Sequence, residues 1–171
     1  MGVFYLIEME KLILTPNFII DGDTFIAEYH GAATKFRARW IDAPEIQKFG
    51  KIPTETDLNQ WKWGELSRSF LFELIHGKEI TVRIHGTDSY NRFLSDWYLG
   101  RYNIQLKLLR LGLAVAFLDP KVVYESRHLT KFDILLASRI LYQQYQAIQK
   151  QKGIWSDAQF LMPVDYRKLR S

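Results

Sequence analysis

Residues 20–45 read I-D-G-D-T-F-I-A-E-Y-H-G-A-A-T-K-F-R-A-R-W-I-D-A-P-E. Asp21-Gly22 is a strong tight-turn signal, because both residue types tolerate the positive φ that two-residue hairpins require. Thr24 to Tyr29 then has strand composition and His30-Gly31 breaks it. Thr34 to Ile41 alternates, with Phe36, Ala38 and Trp40 on one face. Pro44 must end this second strand, since it lacks a backbone donor and restricts Ala43. One acid is enough for the turn. Asp23, at the mouth of a strand where aspartate is depleted, is left without a structural purpose.

Working outward, residues 46–60 are polar and broken by Gly50 and Pro53, which predicts a long surface loop. Leu66, Phe70, Leu71, Leu74 and Ile75 recur at helical spacing between about Lys62 and His76, with Gly77 as the stop. A β-branched strand is expected over 78–84, a turn at T-D-S-Y-N-R, and a returning strand over 93–99. A short helix over about 103–112 ends at Gly112. Thr130 with Asp133 forms a capping-box pattern that opens a last helix towards Gly153, with Phe132, Leu135, Leu136, Ile140 and Tyr145 inside. Strands in sequence with few helices between them predict an α+β fold, a small barrel with helices packed to one side, and not a doubly wound sheet.

Composition sets the outer limits. A chain of 171 residues suits a single domain with a full core. It has no cysteine, which excludes disulfides and thiolate metal sites; this fits the cytosol without excluding export. The formal charge of +4 is a mild excess compatible with a polyanionic partner. The aromatic fraction of 15%, with five tryptophans, predicts a large aromatic core. No stretch approaches the ~20 apolar residues of a membrane span. The apolar N-terminus is interrupted by Glu8, Glu10 and Lys11 and is a poor signal peptide, so a cytoplasmic location is expected unless the chain is a processed secreted form.

The chemistry-bearing residues sit at element ends. Asp23, Asp42 and Glu45 offer the oxygen ligands that a hard cation such as calcium takes. Arg37 and Arg92 flank the same edges, and a guanidinium suits two-point contact with phosphate. Acids with arginines form the inventory for metal-assisted phosphodiester cleavage. One conflict stands: Arg37 and Asp42 are five apart and should face opposite sides of a flat strand, so a bulge or barrel coiling is needed to bring both to one rim.

The elements D-G-D-T (21–24), F-R-A-R-W-I-D-A-P-E (36–45) and D-S-Y-N-R (88–92), with G-I-W at 153–155, resemble the staphylococcal nuclease (thermonuclease) family. The resemblance runs from about Phe18 to Trp155. It implies a five-stranded OB-fold β-barrel with three helices, in one domain with a core over about 17–156 and short extensions at each end. It also implies a calcium-dependent endonuclease, expected to act as a monomer on single- and double-stranded DNA and on RNA and to leave 3′-phosphate ends. By the same resemblance, Asp23 and Asp42 are calcium-binding carboxylates and Ala43 gives a backbone carbonyl. Glu45 orients or deprotonates the attacking water, Arg37 and Arg92 clamp phosphate, and Tyr90 lies near the nucleotide phosphate. Three departures are visible. Ala43 stands where threonine is common, Ser89 replaces a frequent lysine, and Phe117 is the lone aromatic where a tyrosine pair often follows Gly112. The rival reading is a non-catalytic OB-fold module that binds nucleic acid or protein. Such a module is expected to have lost an acid or an arginine, and this chain keeps all five.

Overall fold

A computed structural model describes residues 11–47, 50, 52–118 and 129–170. The apolar N-terminal run before Lys11, parts of the 46–60 segment, and Asp119-Pro120 lie outside the described residues. The strands are β1 (Lys11–Leu14), β2 (Phe18–Asp21), β3 (Thr24–Tyr29), β4 (Ala32–Ala38), β5 (Ile41–Asp42), β6 (Ile80–Thr87), β7 (Phe93–Leu99), β8 (Tyr102–Asn103) and β9 (Val115–Ala116). The helices are α1 (Glu55–Ile75), α2 (Ile104–Arg110), α3 (Lys131–Gln149) and α4 (Pro163–Arg170), with a 3₁₀ turn at Gly153–Ser156.

Hydrogen-bonded neighbours run β1-β6-β7-β4-β3-β2, with β8 on β7 and a separate β5-β9 pair. The two ends of this path, β1 and β2, are consecutive in the chain and separated only by residues 15–17. Counted as one bent strand, they turn the path into a five-stranded OB-like barrel that returns to its start through the chain. Four helices accompany it among the described residues, the three expected and the short α4. Trp97, Phe25 and Phe36 are the largest fully buried side chains. Phe25 stacks on Phe36 at 5.2 Å and meets Trp97 at 4.7 Å, so the aromatic core expected from composition sits inside the barrel.

The strand and turn over 88–99 fall where the sequence placed them, and other elements shift. The first turn is made by Gly22-Asp23, not Asp21-Gly22, because Asp21 pairs with Thr24. Gly22 does not adopt positive φ. Its lack of a Cβ serves packing, since a Cβ there would overlap the Ser67 side chain of α1. Helix α1 starts seven residues before the expected 62, at Glu55, capped by a reciprocal Thr54–Asp57 box that shortens the expected 46–60 loop. The T-E-T-D run at 54–57 carried that signal in the sequence. In α3 the capping box is present, and Leu136 and Ile140 are buried. Phe132, Leu135 and Tyr145, expected inside, are exposed. In α1, likewise, Leu71 and Ile75 are buried but Leu66 is exposed. Helical spacing identified one correct stripe on each helix and made it too wide.

Candidate active site

The β2–β3 turn, the end of β4, β5 and the β6–β7 turn meet around a pocket of about 490 Å³. Sheet register explains the convergence. Thr24 pairs with Arg37, which sets Asp23 at the end of β4. The parallel β4–β7 ladder pairs Phe36 with Phe93 and Arg37 with Leu94, which sets Arg92 level with Lys35, two positions before Arg37 on β4. Antiparallel pairing of β5 with β9 fixes Asp42 opposite Val115, and the Phe117 N–H donates to the Trp40 carbonyl at 2.8 Å.

Alternation had put Arg37 and Asp42 on opposite faces. Strand β4 instead ends at Ala38, and Trp40 takes the left-handed conformation at φ 70°. That reversal starts β5 afresh and brings Arg37 Nη2 to 3.0 Å from Asp42 Oδ1. A tryptophan at positive φ is strained by about 1–3 kcal/mol and persists only where its surroundings hold it. Here its ring is buried and the Arg39 guanidinium lies over it at 4.7 Å.

Asp21 and Asp23 do different work, although Asp23 itself sits in the turn. The Asp21 carboxylate accepts the Asp23 N–H at 3.0 Å and stabilises the turn. The Asp23 carboxylate faces inward. It accepts the Ala43 N–H at 2.6 Å and the Thr24 hydroxyl at 3.0 Å, and it pairs with Arg37. Asp23 is 4% exposed and Asp42 2%. Burial, only partly offset by Arg37 and reinforced by the charge of Asp21, pushes the Asp23 carboxyl up to about 7. Burial also raises Asp42 above the usual carboxylate range, with Asp23 adding to it. The Arg37 guanidinium is buried too, yet Asp23 and Asp42 hold its pKa above the ordinary value.

In the β6–β7 turn, Asp88 organises the other side of the pocket. Its carboxylate accepts the N–H groups of Tyr90 (2.9 Å) and Arg92 (3.0 Å), and it holds the Arg92 side chain through Nε at 2.8 Å. Despite some desolvation, these hydrogen bonds keep Asp88 below the usual carboxylate range. The Tyr90 ring, 78% exposed, lies 5.4 Å from the Arg92 guanidinium. Glu45 is set by contact with α1: a Cβ at Gly64 would overlap the Glu45 carbonyl oxygen, so only glycine lets the helix approach that loop.

Every residue singled out from sequence, namely Asp23, Arg37, Asp42, Ala43, Glu45, Tyr90 and Arg92, lines this one pocket. Residues 35–157 match the family described as staphylococcal nuclease homologue. The chain belongs to that family. Among curated relatives of this nuclease family, it is 30% identical over 133 residues to a protein named probable endonuclease LCL3 from Komagataella phaffii, covering 75% of this chain and 52% of the relative. It is 32% identical to the protein of the same name from Saccharomyces cerevisiae strain RM11-1a, with 75% and 43% covered. The Vanderwaltozyma polyspora protein of that name is also 32% identical, with 75% and 42% covered. The chain thus spans about half or less of the length of these relatives. No described helix is long and apolar enough to cross a membrane.

Phe117, noted in the sequence as the lone aromatic after Gly112, lines the pocket as well. Sequence reading passed over two further pocket residues, Lys35 and Arg167 of α4, the latter in what looked like an extension beyond the core. Arg167 Nη2 donates to Asp42 Oδ2 at 2.6 Å and its Nη1 to Glu45 Oε1 at 3.0 Å. No local pattern in P-V-D-Y-R-K-L-R announces such a contact. Elsewhere, His85, Asp96 and Asp133 place ligand-type atoms within 4.8 Å of one another. Arg39 already bridges those two acids, at 2.8 Å from Asp96 and 2.5 Å from Asp133. The cluster therefore already holds a cation, and it ties α3 to the barrel.

Proposed function

We propose that the chain is a calcium-dependent endonuclease that hydrolyses DNA and RNA with little sequence specificity and leaves 3′-phosphate ends. The observation that carries this reading is the gathering of Asp23, Asp42, Glu45, Arg37 and Arg92 from separate elements in one open pocket. The donor set fits a hard cation. It is all oxygen, and its two aspartates are buried at the pocket wall, where burial raises both carboxyls above their ordinary range. Asp23 and Asp42, with the Ala43 carbonyl, would hold calcium, which when bound polarises the phosphoryl group.

The chain's own residues do the rest. Glu45 takes a proton from the attacking water, whose oxygen forms the new bond to phosphorus. The P–O5′ bond breaks, the departing O5′ takes a proton from solvent, and phosphate stays on the 3′ side. Arg37 and Arg92 donate to the phosphate oxygens as charge builds on them. Tyr90 offers an exposed ring and hydroxyl beside the nucleotide. None of these groups reads a base edge, which supports low sequence specificity. Incubation with single-stranded and duplex DNA, with calcium and then with a chelator, tests the reading. Calcium-dependent cleavage with 3′-phosphate ends is expected; retardation without cleavage would indicate a binding module instead.

A further inference from the structure

The last described helix, α4, is built into the pocket. Its Arg167 guanidinium forks both Asp42 oxygens, Nη2 to Oδ2 at 2.6 Å and Nη1 to Oδ1 at 3.2 Å, and reaches Glu45 as well. The segment leading to it is fastened along α1. Asp157 Oδ2 accepts from Trp63 Nε1 at 2.9 Å and from Asn59 Nδ2 at 3.1 Å, and the Leu161 carbonyl accepts from Gln60 at 3.2 Å. The helix itself is pinned at Asp57, which is 1% exposed. Asp57 Oδ1 accepts the Tyr166 hydroxyl at 2.6 Å and Arg170 Nε at 2.7 Å. These anchors lie on the α1 side of α4 and aim Arg167 at the carboxylates. The Arg167 side chain is 40% exposed, so it has an open path out of the site.

We propose that Arg167 is a tethered counter-cation that competes with the metal for Asp42. The proposal rests on the metal reading given above. A dication and a guanidinium cannot both use the two Asp42 oxygens at close range, because like charges at that distance repel strongly. With no metal, Arg167 pairs with Asp42 and Glu45. Metal entry requires it to leave Asp42, so apparent affinity is the intrinsic affinity scaled by the fraction of molecules with Arg167 withdrawn. The contacts of α4 with α1 set that fraction, and with it the calcium level at which the site fills.

Calorimetric titration of calcium into the full chain, without substrate, tests this. Arg167→Gln is expected to bind calcium roughly 10-fold more tightly than the parent, a coupling of ordinary size for two ligands that exclude each other. Arg167→Lys, which keeps charge but loses the fork, should fall between. Tyr166→Phe and Arg170→Gln touch no carboxylate of the pocket and only loosen the anchor. They should tighten calcium binding in the same direction by a smaller factor, on the order of 2-fold to 5-fold. They also carry the test if Arg167→Gln does not fold. Equal affinity in parent and variants, or weaker binding in Arg167→Gln, overturns the proposal. Absence of calcium binding in the parent and every variant would overturn the metal reading and this proposal with it.

Discussion

Two arginines, two residues apart in sequence, each lie against a pair of aspartates, and the two clusters behave differently. Arg37 meets Asp23 and Asp42; Arg39 meets Asp96 and Asp133. The arginine side chains are equally buried, each 13% exposed. In the Arg39 cluster, Asp133 is buried enough to be penalised. It nonetheless accepts the Thr130 hydroxyl (2.7 Å), the Thr130 N–H (2.8 Å) and Arg39, and these hold its carboxyl below the usual range. In the Arg37 cluster burial wins: Asp23 and Asp42 are raised, with Asp21 adding to the effect on Asp23 and Asp23 adding to that on Asp42. The depth of the arginine does not separate them. Nor does the number of donors, since Asp23 and Asp133 each have three. What separates them is negative charge nearby, from Asp21 on Asp23 and from Asp23 on Asp42, while hydrogen bonds from Thr130 and Arg39 prevail at Asp133. The Arg39 cluster is complete, and the Arg37 cluster gains from one more cation.

The largest expected effect comes from breaking the complete cluster. Arg39→Ala leaves Asp96, which is wholly buried, and Asp133 without their shared guanidinium. Removing one partner of a buried pair costs about 3–5 kcal/mol, so chemical denaturation should show a loss of that order. Cleavage should fall only in proportion to unfolding. A fully stable Arg39→Ala protein would remove the distinction between the clusters.

Next come the pocket arginines. Arg37→Ala and Arg92→Ala should each lower the maximal rate by a factor of 10² to 10³, about 3–4 kcal/mol, with much less effect on nucleotide binding. Arg37→Lys should be nearly as damaging, because an ammonium lacks the planar fork. Near-parental turnover in Arg37→Lys would reduce Arg37 to a point charge.

The two clusters should also tilt stability with pH in opposite directions. Asp133 has its folded pKa below the ordinary 3.8, so its contribution is complete above that value and is lost as pH falls through the lowered pKa. Asp23 has its folded pKa raised to about 7, so between 3.8 and about 7 the unfolded chain holds fewer protons than the folded one. Metal-free stability should therefore decline as pH rises across that window and level off above it. Denaturation midpoints in chelator from about pH 4 to about pH 8 should show this slope in the parent. It should be reduced in Asp23→Asn; an unchanged slope there would place the effect elsewhere.

A smaller effect is expected at the seam between α1 and the Glu45 loop. Gly64→Ala should cost about 1–3 kcal/mol, because the added methyl must displace the Glu45 backbone. Activity should fall further than the lost stability explains, since Glu45 moves with that backbone. Activity that tracks stability alone would mean the position of Glu45 is uncritical.

Much of this contrast was legible in the residues. Asp23 stood out as a second acid where one is enough for a tight turn, although the turn proved to be Gly22-Asp23, and D-A-P-E ended a strand at the pocket rim. Thr130 and Asp133 announced the cap of α3. The reversal at Trp40 was not legible, because nothing in R-A-R-W-I-D signals a left-handed tryptophan. That conformation depends on burial by residues distant in sequence. The width of the buried stripes on α1 and α3 depends on what packs against them, which helical periodicity does not specify. Arg167 was hidden for the same reason: its partners are more than a hundred positions away, and only the docking of α4 on α1 brings it to Asp42.

The most direct test of the account is Asp23→Asn, with cleavage and metal-free stability measured on the same preparation. The substitution removes one charge from the Arg37 cluster at nearly constant shape and leaves Arg37 paired with Asp42. Calcium-supported cleavage, assayed well below the denaturation midpoint, should be abolished, while the calcium-free protein should be as stable as the parent or slightly more so. A clearly less stable Asp23→Asn protein that still cleaves would show that Asp23 only anchors Arg37, and would contradict the assignment of this pocket as a metal-dependent active site.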